Sequence, residues 1–181
     1  MSDLGAVWPQ TIRFEEAARA RPESPLRRRL VADEVERAAI AKALDLETLE
    51  RLEADLVVRG WFDGVAIEGR WSARIEQICG VSLEPFQTDL GGDFLVRIVP
   101  PGSPHAPNPE AEVTIDLDAD DPPDVLEGDV INLGAYVVEH LALDIDPFPR
   151  RPDAVFEAPA PDPEASPFAV LRSLKRGGEG E

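Results

Sequence analysis

From Leu49 onward the chain alternates in polarity: Leu52, Ala54, Leu56 and Val58 share one parity, and Glu53, Asp55, Val57 and Arg59 the other. A period of two predicts a strand with one face on a core and one face in water. Further runs follow at Val65-Ala66-Ile67-Glu68, Trp71 to Gln77 and Phe94 to Val99, and Gly60, Asp63-Gly64, Gly69 and Gly91-Gly92 read as the turns between them. Pro85 lies within the run from Val81 to Leu90. Having no N–H to give a ladder, it assigns that run to an edge or bulged strand. The predicted fold is α+β, an antiparallel and strongly curved β-meander with helices packed on one face or over an end.

The flanking sequence supplies the helices. A short strand is expected from Trp8 to Phe14, with Ile12 and Phe14 on one face. The stretch after it holds Pro22, Pro25 and the arginines Arg19, Arg21, Arg27, Arg28 and Arg29, and reads as an exposed connector with room for one helical turn. A helix is predicted from Asp33 to Ala43, with Val35, Ala38, Ala39 and Ala43 on its apolar face and Asp33 and Glu34 at its positive N-terminal end. Asp45 to Leu49 follows as a further turn. Asn132 is placed to cap a second helix from Leu133 to Leu143, whose buried stripe is Leu133, Val137 and Leu141, and Asp146-Pro147-Phe148-Pro149 ends it. Before that helix, residues 100–109 form a loop on composition, and an acidic run extends it; Val113, Ile115 and Leu117 are spaced for a brief strand there. No internal repeat is visible.

Length and charge narrow the function classes. The 181 residues suit one domain over 1–156, a proline and carboxylate linker over 157–165, and a separate closing motif and tail over 166–181. A formal net charge of -18 argues against an interface built on nucleic-acid phosphates, which needs a basic footprint. It attracts cations instead, and basic proteins and cationic small molecules fit that charge equally well. Cys79 is the single cysteine, so no internal disulfide forms and no thiolate cluster holds zinc, which suits the reducing cytoplasm. The N-terminus lacks the pattern of a secretory signal, and no apolar run reaches a membrane-spanning length.

Candidate chemistry is sparse. Asp116, Asp118, Asp120, Asp121 and Asp124 resemble a calcium loop in charge, but the glycine at its sixth position and its terminal glutamate are out of register. A solvated acidic loop is the plain reading, and contact with a basic partner the functional one. His140, between Glu139 and Asp144, is the one residue suited to a general base, but no nucleophile motif accompanies it, and His105 is the only other histidine. Cys79 beside Gly80 reads as a small buried residue. Gly91-Gly92 lacks the lysine of a phosphate loop, and Trp8, Trp61 and Trp71 read as core and hairpin packing. No enzyme, cofactor or metal site is expected.

The closing segment is the most specific stretch. After the linker, Ser166-Pro167-Phe168-Ala169-Val170-Leu171-Arg172-Ser173-Leu174-Lys175-Arg176 places Phe168, Leu171 and Leu174 at three-residue spacing, with Arg172, Lys175 and Arg176 between and after them. Such a stripe is suited to dock on an apolar groove, its cations turned to water or to an anion.

That segment closely resembles the terminal Asn-Pro-Phe-Ala-Val-Leu-x-x-Leu-Lys signature of the bacterial YceD-like family, named for accumulation of large ribosomal subunit RNA. A second similarity lies in Ile131-Asn132-Leu133, Glu139, Leu141-Ala142-Leu143 and Pro147-Phe148-Pro149, and the hairpin from Trp71 through Val99 looks like the family's central one. Many relatives carry Cys-x-x-Cys there, where this chain has Glu76-Gln77-Ile78-Cys79, so no metal role is carried over. The resemblance implies a non-enzymatic cytoplasmic factor for large-subunit ribosomal RNA accumulation, acting in assembly. Joined to the charge, it points to a basic ribosomal protein or large-subunit precursor particle as partner, attracted by Asp116, Asp118, Asp120, Asp121 and Asp124 and held by Phe168, Leu171 and Leu174. The alternative is direct ribosomal RNA contact through Arg172, Lys175 and Arg176, joined by Arg27, Arg28 and Arg29.

Overall fold

The computed structural model describes residues 6–107 and 121–156. Its elements are β1 (Thr11–Arg13), α1 (Phe14–Ala18), β2 (Leu26–Val31), α2 (Glu34–Ala43), β3 (Thr48–Trp61), β4 (Gly64–Ile78), β5 (Pro85–Val99), β6 (Asp124–Val125), β7 (Val130–Asn132) and α3 (Leu133–Asp144). The main sheet runs β2-β3-β4-β5-β6. Its first four strands form an antiparallel meander, and β6 joins the far edge in parallel to β5 at Ile98 and Val99. A separate pair, β1 with β7, ties the N-terminal segment to the start of α3. The fold is α+β, as the alternation predicts.

Register explains the core. Leu52, Ala54, Leu56 and Val58 of β3 stand opposite Ala73, Trp71, Gly69 and Ile67 of β4, and β5 continues the same rows with Phe94, Val96 and Ile98. All but Val96, which is half-buried, are buried. Ile40 and Ala41 of α2 and Val137, Val138 and Leu141 of α3 join the same cluster. Each fully buried Leu, Ile or Val side chain contributes about 1.5–3 kcal/mol relative to exposure, so this face supplies most of the drive to fold.

The predicted cap at Asn132 is present, and Asp33, expected as the first residue of its helix, is the cap of a helix that begins at Glu34. Asp33 accepts from the Glu36 amide while Glu36 accepts from the Asp33 amide, a reciprocal capping box at α2. Asn132 accepts from the Gly134 and Ala135 amides at α3. Leu133, Val137 and Leu141 are all buried.

Five readings of the sequence change. The arginine-rich connector contains β2, in which Leu30 is buried and Arg28 and Arg29 pair with Glu16, Glu53 and Asp55; a strand built on arginines hides its period of two. The strand expected over Trp8 to Phe14 is confined to β1, and Phe14 begins α1. Helix α2 turns in Ile40 and Ala41, leaving Val35, Ala38 and Ala39 exposed, because Ile40 carries the largest apolar side chain of the helix and gains most from burial. Gly69 and Gly91-Gly92 lie inside β4 and β5 rather than between strands. At Gly69 the absence of a side chain makes room for Phe94, whose ring a Cβ would strike. The run expected from Val81 is no strand before Pro85: Val81 to Glu84 form the turn after β4, and Pro85 is the first residue of β5, where no ladder N–H is required; β5 is an edge until β6 meets it.

The opposite face of the sheet is polar and internally paired. Arg70 bonds Asp93, Arg74 makes two hydrogen bonds to Asp89 at 2.9 and 2.7 Å, Arg51 reaches both Glu53 and Asp89, and Arg59 pairs with Glu68. Hydrogen bonding from Arg74 holds the Asp89 carboxyl below its usual range. Exposed pairs of this kind contribute about 0–1 kcal/mol each, so their main effect is to neutralise the face.

Beyond α3 the chain returns to the turn after β4. The Gly80 amide donates to the Pro149 carbonyl at 2.9 Å, Arg151 pairs with Glu84 and Asp153, and the amides of Ser82 and Arg151 donate to the Cys79 sulfur at 3.4 Å each. Cys79 has no accessible surface. The enclosed Ser82 hydroxyl makes no hydrogen bond of regular geometry, but it lies beside the same sulfur. The Ser82 hydroxyl and these amides lower the thiol from 9.0 to about 6.

Two outcomes follow from this packing. A Cβ at Gly134 would collide with the Trp8 carbonyl, so Gly134→Ala should lower stability in urea by about 1–3 kcal/mol, the usual cost of overpacking; a change below about 0.5 kcal/mol would show that the N-terminal segment does not clamp α3. Thiolate absorbance near 240 nm should titrate with a midpoint near pH 6 in the folded chain and near the ordinary thiol value of about 8.5 in denaturant. Because the folded value is the lower one, this contribution to stability is complete above the unfolded value and lost as pH falls through about 6. Coincident folded and unfolded midpoints would show that these donors do not act on the sulfur.

Candidate partner-binding surface

Several carboxylates outside the ion pairs of the sheet meet beside α3. Residues 121–126 run along the outer side of that helix, bringing Asp121 and Asp124 next to Tyr136, Glu139 and His140. Tyr136 donates its hydroxyl to Asp124 at 3.0 Å. Burial, reinforced by the charge of Asp124, pushes the phenol far above its ordinary range, so it remains a donor at every physiological pH. One shallow hollow of about 310 Å3 opens between β6, β7 and α3, with Val125, Val130 and Tyr136 in its lining and Asp124, Glu127 and Glu139 around them. Val125 and Val130 are 44% and 41% exposed, so apolar surface is open to a partner within an acidic rim.

Electrostatics sets this surface apart from the sheet. Among the described residues, Asp121, Glu127, Asp129 and Glu139 lie outside the ion pairs of the sheet, whereas Arg29, Arg59, Arg70 and Arg74 of the sheet face carboxylates of their own, and Arg97 of β5 lines the hollow beside Asp121, Asp124 and Glu139. The two sides therefore differ in the field that they present to a cation.

Of the residues singled out in the sequence, Asp121 and Asp124 are brought together here. Asp116, Asp118 and Asp120 lie outside the described residues, as do Phe168, Leu171, Arg172, Leu174, Lys175 and Arg176. Arg28 and Arg29 are engaged with Glu16, Glu53 and Asp55, while Arg27 stands exposed on the edge strand. Among the described residues no group of three His, Cys, Asp or Glu is placed to hold a metal. His140 stacks flat on Phe94, ring centroids 4.3 Å apart, and is half-buried. Trp8 and Trp71 are in the core, and Trp61 packs at the β3–β4 hairpin against Phe62 and under Arg97.

Glu127, Glu139 and Tyr136 belong to the surface and were not picked out as part of it by sequence reading. One signal was present: Tyr136, Glu139 and His140 recur at helical spacing beside the buried stripe of Leu133, Val137 and Leu141, which marks the outward flank of α3. Among the described residues no helix is long and apolar enough to cross a membrane.

A search of curated proteins found no match to the chain, and neither did a search of solved structures. A family model described as "Large ribosomal RNA subunit accumulation protein YceD" matches residues 67–175, which take in most of β4, all of β5, β6, β7 and α3, and the closing segment through Lys175. On that match, across more than half of its length, the chain belongs to the YceD family of large ribosomal RNA subunit accumulation proteins.

Proposed function

We propose that this chain is a non-enzymatic factor of large ribosomal subunit assembly, acting in the cytoplasm by binding a basic ribosomal protein or a precursor particle that displays one. The observation that carries the proposal is the distribution of charge. The arginines of β3 and β4 are matched by carboxylates of the sheet, whereas beside α3 Asp124, Glu127 and Glu139 rim an open apolar patch, and in the adjoining hollow Asp121, Asp124 and Glu139 outnumber the one arginine of its lining, Arg97. A lysine- and arginine-rich surface meets there both the field that steers it and apolar area to cover. The family description supplies the setting, accumulation of large-subunit ribosomal RNA. Direct phosphate binding draws less support, since Arg28 and Arg29 are already paired with carboxylates.

In this reading the acidic surface accelerates encounter, and Phe168, Leu171 and Leu174 of the closing segment add apolar anchoring, with Arg172, Lys175 and Arg176 beside them. Asp116, Asp118 and Asp120 precede Asp121 in the chain and add to the same negative field. His140, stacked on Phe94, serves packing rather than proton transfer.

Capture from cell lysate at low ionic strength tests this. Full-length chain should recover large-subunit proteins or precursor particles, and recovery should fall severalfold in a chain lacking residues 166–176 and in Asp121→Lys/Asp124→Lys/Glu139→Lys. Recovery of neither ribosomal proteins nor particles by the wild-type chain would remove the proposal. His140→Ala should leave both capture and cellular ribosomal RNA levels unchanged; loss of the RNA phenotype with capture intact would instead indicate chemistry at that residue.

A further inference from the structure

A second groove, on the far side of the sheet's end from the acidic surface, lies where α2 runs into β3 and where the chain leaves α3. It has a volume of about 370 Å3, and its apolar walls come from Leu44, Leu46, Ile78, Ile145, Pro147 and Pro149. Ile78 is 38% exposed although it ends a strand otherwise well packed. Asp45, Glu47 and Asp146 line the same groove. Asp146 accepts from the Phe148 amide, and among the described residues none of the three carboxylates is in an ion pair.

We propose that this groove is the seat of the chain's own closing segment, residues 166–176. Phe168, Leu171 and Leu174 enter the apolar walls, and Arg172, Lys175 and Arg176 meet Asp45, Glu47 and Asp146. Two observations select this occupant. One is complementarity: the segment combines three large apolar side chains with three cations in a chain whose net charge is -18, and the groove combines apolar walls with three unpaired carboxylates. Opposite charges so matched also fix the register of docking.

The other is the tether. Pro147 and Pro149 form part of the groove wall, and the Gly80–Pro149 hydrogen bond with the Arg151–Glu84 pair holds the following residues beside it. The described chain ends at Phe156. From there the linker to Phe168 can extend about 40 Å, more than the roughly 25 Å that the seven residues from Pro149 in the groove wall to Phe156 can span. A tethered segment experiences its site at an effective concentration on the order of millimolar. Even weak affinity then keeps the seat filled, and a partner that uses the same three apolar side chains must displace them from it. The proposal concerns the free chain and does not rest on the ribosomal reading.

The test compares amide correlation spectra of 15N-labelled full-length chain and its variant Phe168→Ala/Leu171→Ala/Leu174→Ala. Amides of Leu46, Glu47, Gln77, Ile78 and Ile145 should shift between the two, and a synthetic peptide of residues 164–178 added to the variant should move them back toward their wild-type positions. Asp146→Lys, introduced into that variant, should weaken peptide binding about fivefold or more at low salt. Differences confined to residues 157–181 with groove amides unmoved by peptide would overturn the proposal. So would peptide shifts centred on Val125, Val130 and Tyr136, which would assign the segment to the acidic surface. Lysate capture by the wild-type chain reads the assembly function separately, and its result does not depend on this one.

Discussion

The register of β3 against β4 and of β4 against β5 is the constraint on which the rest of the structure depends. Leu56 opposite Gly69, and Gly69 opposite Phe94, fix which parity of each strand faces the core. Because side chains alternate, a slip of one residue would turn the whole apolar set to water. The same register places Asp55, Arg70 and Asp93 in one row on the other face, and Arg74 beside Asp89 in another. One set of pairings thus builds the core and neutralises the solvent face.

Neutralisation there has a consequence elsewhere. The chain has twice as many carboxylates as cations, and many of its arginines are committed to cross-strand pairs on the sheet. Among the described residues, carboxylates on the connections and on α3 stand outside those cross-strand pairs, and several line the β6–α3 side and the end where α2 meets β3. Both places also leave apolar side chains in reach of solvent. An acidic chain with two such places is suited to hold basic, partly apolar segments, one from another molecule and one from itself.

Several of these features were legible in the sequence for local reasons. The alternation from Leu52 to Val58 is a direct image of a half-buried strand, and Asp33 and Asn132 announce helix starts because a cap acts within three residues of itself. The rest depends on partners distant in the chain. Nothing near Gly69 announces that Phe94 will cross it, so the glycine reads as a turn. Arg27, Arg28 and Arg29 read as solvent until Glu53 and Asp55 arrive from β3 to pair with Arg29. The parallel contact of β6 with β5 rests on two residues and carries no period at all. Asp121 and Asp124 could be named from their cluster, whereas Glu127 and Glu139 join them only once α3 is folded against β6. The Cys79 environment was hidden for the same reason, since Arg151, one of its donors, lies 72 positions away.

The central claim is that this molecule recognises cationic protein surface rather than ribosomal RNA itself. Equilibrium titrations of purified full-length chain against individual basic proteins of the large subunit, and against protein-free large-subunit RNA, address it most directly when repeated from about 50 to about 300 mM salt, a range over which screening changes strongly. The account predicts saturable binding to at least one such protein that weakens as salt rises, and no saturable binding to the RNA at any salt. Saturable RNA binding at low salt without affinity for any of the proteins would contradict it.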